Sequence, residues 1–355
     1  MKFSLVRPNT FETPTLVWEN DFEFFLGENS KIVFKKIIGI RPDSLSSEFL
    51  SNFFYAKSDT VSGTGNCRQS EDTSVDIGIM TFNTDYGIRA DHMAVALENA
   101  GYESFWVPEH THIPANRRSP YPGGGHLPRP YYHMADPFVS LGVAAGVTKR
   151  IKLATGICLV VERDPITLAK EVATLDMLSD GRFLFGIGAG WNAEEMENHG
   201  TEFKTRFKLM KEQIEAMKAI WAEEQASYHG KFINFDKIIS YPKPIQVPHP
   251  PIIFGGATPL ARQRVVDFCD GWMPIDVLMD DLADAMSDLQ RKIDIAGRDP
   301  SSISVTMFAF DGADGDTILR YNDLGIDRVV LVAPRARDGA LAFVDRFSDM
   351  IARVA

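Results

Sequence analysis

From Val75 onward the chain repeats one pattern eight times: a short apolar run, a turn, then a helix with one buried face. The runs are VDIGIMTF (75–82), ESFWVPEH (103–110), IKLATGICLVV (151–161), RFLFGI (182–187), IIFGG (252–256), GWMPI (271–275), ISVTMFAF (303–310) and RVVLVA (328–333). Each is short for a helix and too uniformly apolar for a strand with one wet face, so each reads as a strand buried on both sides. Helical signals fill 89–100, 136–147, 165–178, 205–224, 259–268, 281–296, 316–324 and 340–354. Within 205–224, Phe207, Met210, Ile214, Met217, Ile220 and Trp221 recur at helical spacing and mark one buried stripe. Strand followed by helix, repeated, requires parallel strands, and eight units close on themselves. The expected fold is an α/β (β/α)8 TIM barrel occupying 75–355. A doubly wound sheet is the other architecture that this alternation permits.

Two stretches fall outside the repeat. Residues 228–249, after the fourth strand and its helix, read as a hairpin-like insertion. Residues 1–74 form an N-terminal extension with scattered phenylalanines (Phe22, Phe24, Phe25, Phe53, Phe54) and no sustained period of 2 or 3.6. This part reads either as a small add-on or as an extension with no independent fold. Its polar end, 58–74, reads as a linker.

Net charge is −11, with acids and bases mixed along the chain, which argues against nucleic acid or an anionic membrane as the main partner. Cys67, Cys158 and Cys269 have no motif spacing, so neither a disulfide framework nor a thiolate metal site is implied. No apolar run reaches transmembrane length and no signal peptide is legible, making a reducing cytoplasm the expected location.

In a barrel of this kind, ligands bind at the carboxyl ends of the strands. The fourth strand leaves through GIGAGW (186–191), where Gly186, Gly188 and Gly190 keep the backbone bare for a close-approaching ligand. Without a ligand, the same stretch is a tight strand-to-helix turn. The second strand ends at Glu109-His110-Thr111-His112. Its His-x-His pair suits a divalent metal, but such a site needs ligands from other strand ends. No histidine follows His249, so no metal is expected. The glycine triplet also lacks the spacing of a dinucleotide-binding turn. Small strand-end residues leave room for a flat, apolar ring. Thr205 and Arg206, opening a long helix, offer amides, a hydroxyl and a guanidinium to an anionic tail. His110 is the strongest proton-exchanging candidate, with a structural histidine as the plain alternative. The loop 111–133 is long enough to cover a substrate.

The segments VPEHTHIP (107–114), DPFVSLGVAAGVT, the run from Ile151 to Gly200, YPKPIQVPHPPIIFGGATP and CDGWMPI resemble the luciferase-like monooxygenase family. They are most similar to its branch of oxidoreductases using the deazaflavin coenzyme F420. The resemblance spans about 75–355, is densest over 103–275 and is absent before Val75. It implies hydride transfer between F420 and a small-molecule substrate. An FMN-dependent monooxygenase of the same family and a non-catalytic flavin-binding barrel are the alternatives. It further implies a non-prolyl cis peptide at Gly156-Ile157 behind the ring. Cofactor contacts follow at Thr155, Gly156, Ile157, Gly188, Ala189, Gly190, Trp191, Thr205 and Arg206. Catalytic positions fall at His110 and Glu109, where relatives using the deazaflavin usually carry aspartate before the histidine. Dimers are common in the family, so a homodimer is expected.

Overall fold

In the computed structural model, the described residues are 75–310 and 312–354, preceded by four strand segments. The chain divides into two compact units, Met1–Gln69 and Ser70–Ala355. In the first, β1 (Ser4–Val6), β2 (Thr15–Trp18), β3 (Phe22–Leu26) and β4 (Ile32–Lys36) form an antiparallel sheet in chain order. The linker reading of 58–74 lies outside the described residues.

The second unit is the barrel. Its walls are β5 (Asp76–Met80), β6 (Ser104–Val107), β7 (Lys152–Thr155), β9 (Phe183–Gly188), β12 (Ile252–Gly255), β13 (Gly271–Met273), β14 (Ser304–Ala309) and β15 (Arg328–Val332), all parallel. Pairing of β15 with β5 closes the ring. Each wall strand contributes one side chain to an interior cluster: Met80, Trp106, Ala154, Leu184, Ile253, Met273, Phe308 and Val330. Residues pointing the other way, such as Ile79, Phe105, Leu153 and Phe185, pack under the helices. Both faces of the strands are therefore buried, which explains their uniformly apolar composition.

Helix starts follow local chemistry. Asp136 and Asp164 precede Pro137 and Pro165, and each accepts the amide three residues on, from Val139 and Thr167. At the amino-terminal face, Arg328 pairs with Glu103 at 2.5 Å, and Lys152 adds a second contact to Glu103 at 2.7 Å. The insertion is an antiparallel hairpin of β10 (Ala226–His229) and β11 (Asn234–Ile238). Among the described residues, no helix is long and apolar enough to cross a membrane.

Two differences from the sequence reading shape the site. The third strand is not continuous over 151–161: β7 stops at Thr155, the Gly156–Ile157 peptide is cis, and β8 (Cys158–Leu159) resumes against β9. Ala154 pairs with Leu184 and Cys158 with Ile187, so four steps on one strand oppose three on the other. The extra residue makes a bulge. Secondly, a short helix, Ala193–Asn198, stands between the glycine-rich exit and the long helix Arg206–Ala222.

Candidate active site

The bulge leaves Ile157 half-buried at the carboxyl mouth, packed against the interior cluster together with Tyr131. Glycines make room for it. A Cβ on Gly188 would run into Ile157 Cδ1, and one on Gly255 would lie 3.1 Å from Ile157 Cγ2. Gly156 is crowded from below by Phe308 Cζ, 2.8 Å from where its Cβ would stand. Thr155 is fully buried and donates from Oγ1 to the Gly186 carbonyl at 2.7 Å, joining the third and fourth strands. The sequence-predicted Thr155, Gly156, Ile157 and Gly188 therefore meet as one structural unit: an apolar knob on bare backbone. Ala189 is buried beside it, and Gly190 has φ +68, which suits glycine, with Met196 packed close.

The second strand ends in a different environment. His110 Nδ1 and Glu195 Oε2 are 2.7 Å apart, with both side chains nearly inaccessible. Asn192 Nδ2 donates to the same oxygen at 3.3 Å. Around the imidazole stand Trp191 (ring centroids 5.6 Å) and Tyr131 (5.4 Å), and Tyr121 touches both of those rings. Arg117 lies over the indole. His110 and Trp191, chosen from sequence, are thus brought together. The loop 111–133 does reach the site, through Tyr121 and Tyr131, while Tyr132 is exposed and His133 turns to Asp85.

Glu109 takes partners different from those of His110. Its Oε2 accepts the Leu159 amide at 2.7 Å, and its Oε1 accepts Arg163 Nε at 2.8 Å and Nη2 at 2.5 Å. Arg163 also holds Asp136 and Glu171. Glu109 therefore ties β8 to the second strand and acts on the site through the backbone. Thr205 donates to the Glu202 carbonyl. Arg206 donates to the Phe203 carbonyl at 2.7 Å and stacks over the Phe203 ring. Neither forms a hydrogen bond or ring contact with His110 or Trp191 among the described residues, and Arg206 Nε is buried without a partner.

The sequence reading missed Tyr121, Glu162, Asn192, Glu194 and Glu195. Glu194 accepts the Arg118 and Ser119 amides at 3.1 and 3.2 Å, pinning the long loop to the short helix. Burial pushes its carboxyl up, but hydrogen bonds from Ser119 and Arg118 outweigh this and hold it at about 2. The missed signal was the acidic first turn of NAEEMENHG, closed by Gly200.

A buried imidazole, fixed from behind and walled by aromatic rings, stands at the carboxyl mouth of a (β/α)8 barrel, the end at which such folds bind ligands. The family model described as luciferase-like monooxygenase matches residues 83–311, and the chain belongs to that family. Its members are oxidoreductases and monooxygenases. An uncharacterised protein of Mycobacterium tuberculosis, Rv0953c, is 39% identical over 284 residues, covering 78% of this chain and 98% of that protein. An FMNH2-dependent dimethylsulfone monooxygenase of Pseudomonas putida is 36% identical over 110 residues, 29% of this chain and 30% of that one. In structure, an F420-dependent secondary alcohol dehydrogenase shares the fold with a TM-score of 0.63 at 18% identity, covering 79% of this chain and 99% of that chain.

Proposed function

We propose that the protein is an oxidoreductase that transfers a hydride between coenzyme F420 and a small organic substrate. The observation that carries this reading is the imidazole of His110, held by Glu195 within an aromatic wall at the barrel mouth. The residues present fit a planar ring system. Glycines 188 and 255 leave bare backbone around Ile157, and this apolar knob suits the face of a flat ring. Thr155, Gly156 and Ile157 would back the ring, Gly188, Ala189, Gly190 and Trp191 would line its edge, and Thr205 and Arg206 would meet the phosphate-bearing tail.

When bound, the deazaflavin supplies a ring carbon that gives or takes a hydride. The protein does the rest. His110 exchanges the accompanying proton through Nε2, since Nδ1 is committed to Glu195. Trp191, Tyr121 and Tyr131 exclude water and orient the substrate. Glu109, paired with Arg163, keeps the ends of the second and third strands in register.

In this reading, residues 75–355 are the catalytic domain, 1–74 an extension outside it, and the location cytoplasmic. The expected homodimer has a candidate face on the helix Pro137–Val147, where Val139, Val143 and Val147 are exposed one turn apart.

Paired titration with F420 and FMN, followed by tryptophan fluorescence, tests the cofactor. Trp191 should report binding of F420 in preference to FMN. Preference for FMN would move the protein to the oxygen-using branch, and binding of neither would overturn the reading.

A further inference from the structure

The barrel closes where the eighth strand meets the first. As the two segments leave the ring, the Ala333 amide donates to the Met80 carbonyl at 2.9 Å. Their exits enclose a small cleft lined by Phe82, Asn83, Thr84, Gly87, Ile88 and Arg335. Its wall is held in place: Asn83, with φ +50, donates to Ser140 Oγ at 2.8 Å, and Thr84 bridges to Met134 on the long loop.

One charge in this cleft is uncompensated. The Arg335 guanidinium lies over Phe82, 5.4 Å from the ring centroid, and among the described residues it has no hydrogen bond or ion pair. Asp85, on the same loop, is taken by His133 at 3.1 Å. From Phe82 the rings continue to the imidazole, with Tyr131 5.5 Å from Phe82 and 5.4 Å from His110, centroid to centroid. Burial and Tyr121 hold the Tyr131 phenol above its ordinary range, against the opposing charge of Arg335. A guanidinium seated on an apolar ring keeps its edge N–H groups free for a planar anion.

That anion does not belong to the tail of the proposed cofactor. Thr205 and Arg206, proposed for the tail, open the helix between the fourth and fifth strands. The seam of the first and eighth strands lies across the mouth from them.

We propose that Arg335 selects the substrate by an anionic group, a carboxylate or a phosphate. An apolar, ring-sized segment along Phe82 and Tyr131 joins that group to the carbon that reacts at His110. The place of the reacting carbon rests on the hydride-transfer reading. The anion preference does not, and it is measured without cofactor.

The experiment is NMR of the unloaded full-length protein labelled with 15N-arginine, in which the Arg335 Nε signal is assigned by its loss in Arg335→Gln. The probes are benzoate and phenyl phosphate, with benzamide and benzyl alcohol as uncharged counterparts and inorganic phosphate as an anion without a ring. At least one aromatic anion should shift the Arg335 signal and bind about tenfold or more tighter than its uncharged counterpart. Which one does so tells a carboxylate substrate from a phosphate. In Arg335→Gln, followed through the backbone amides of residues 81–88, the preference should vanish, and Arg335→Lys should restore part of it. Equal binding of charged and uncharged probes, or no binding of either aromatic anion, would overturn the proposal in the wild-type protein alone, whatever the variants do. So would a preference that survives in Arg335→Gln. A shift by inorganic phosphate as strong as that by phenyl phosphate marks an adventitious ion only and overturns it too. In the loaded enzyme, the ratio of kcat/KM for an anionic substrate over its uncharged analogue should fall about tenfold or more in Arg335→Gln. Failure to bind either cofactor would sink the hydride-transfer reading while leaving the anion preference standing.

Discussion

Glu109 and His110 are adjacent in the chain just past the second strand, yet their side chains are anchored by different elements. Arg163 and the Leu159 amide hold Glu109, while Glu195 holds His110. The division separates an imidazole set in an aromatic wall from a carboxylate that shapes the backbone.

Replacing His110 with alanine leaves Glu195 buried without its partner, which should lower stability, and it should lower hydride transfer by about 10²–10⁴-fold. Stopped-flow absorbance of the reduced cofactor measures this directly. Hydride transfer at the parent rate would make His110 structural.

Arg163→Ala should act on stability instead. It leaves Glu109 buried and unpaired, and breaking a buried pair from one side costs about 3–5 kcal/mol. Urea denaturation monitored by circular dichroism reads the loss. Glu109→Gln, which still accepts the Leu159 amide through its side-chain oxygen, should cost less.

A methyl group at Gly188 meets Ile157 Cδ1 with no free space between them. Gly188→Ala should displace the knob, cost about 1–3 kcal/mol as over-packing does, and weaken cofactor binding about tenfold or more. Unchanged affinity in the fluorescence titration would place the ring elsewhere.

The amino-terminal face gives an acid-stability prediction. Burial pushes Glu103 up, but Arg328 and Lys152 prevail and hold it at about 2. A depressed carboxyl stabilises the fold above its unfolded pKa of about 4.3 and loses that contribution as pH falls through about 2. Asp76, raised by burial and by Glu103, works in the opposite sense. In an Asp76→Asn background, thermal melts between pH 5 and 2 should fall steeply, and Glu103→Gln should flatten the curve.

The barrel was legible because its chemistry is local. Runs such as ISVTMFAF, short and bounded by turn signals, read as doubly buried strands, and pairs such as Asp164-Pro165 announce helix starts. His110 and Trp191 were legible because strand ends are where such folds place ligands. Glu162 and Glu195 were not. In sequence they look like ordinary solvated acids, and only tertiary packing buries them. Tyr121 was hidden for the same reason, since nothing in a loop rich in proline and glycine says which side chain turns inward. The four strands before Val75 were missed because segments such as IVFKK are too short to show a period.

The helix Ala193–Asn198 carries two consecutive glutamates with unrelated tasks. Glu194 clasps the long loop, and Glu195 aims the imidazole. Under the proposed function, a substrate that lifted the loop would pull on the same short helix that orients His110, so admitting a guest and arming the site would be one mechanical event rather than two.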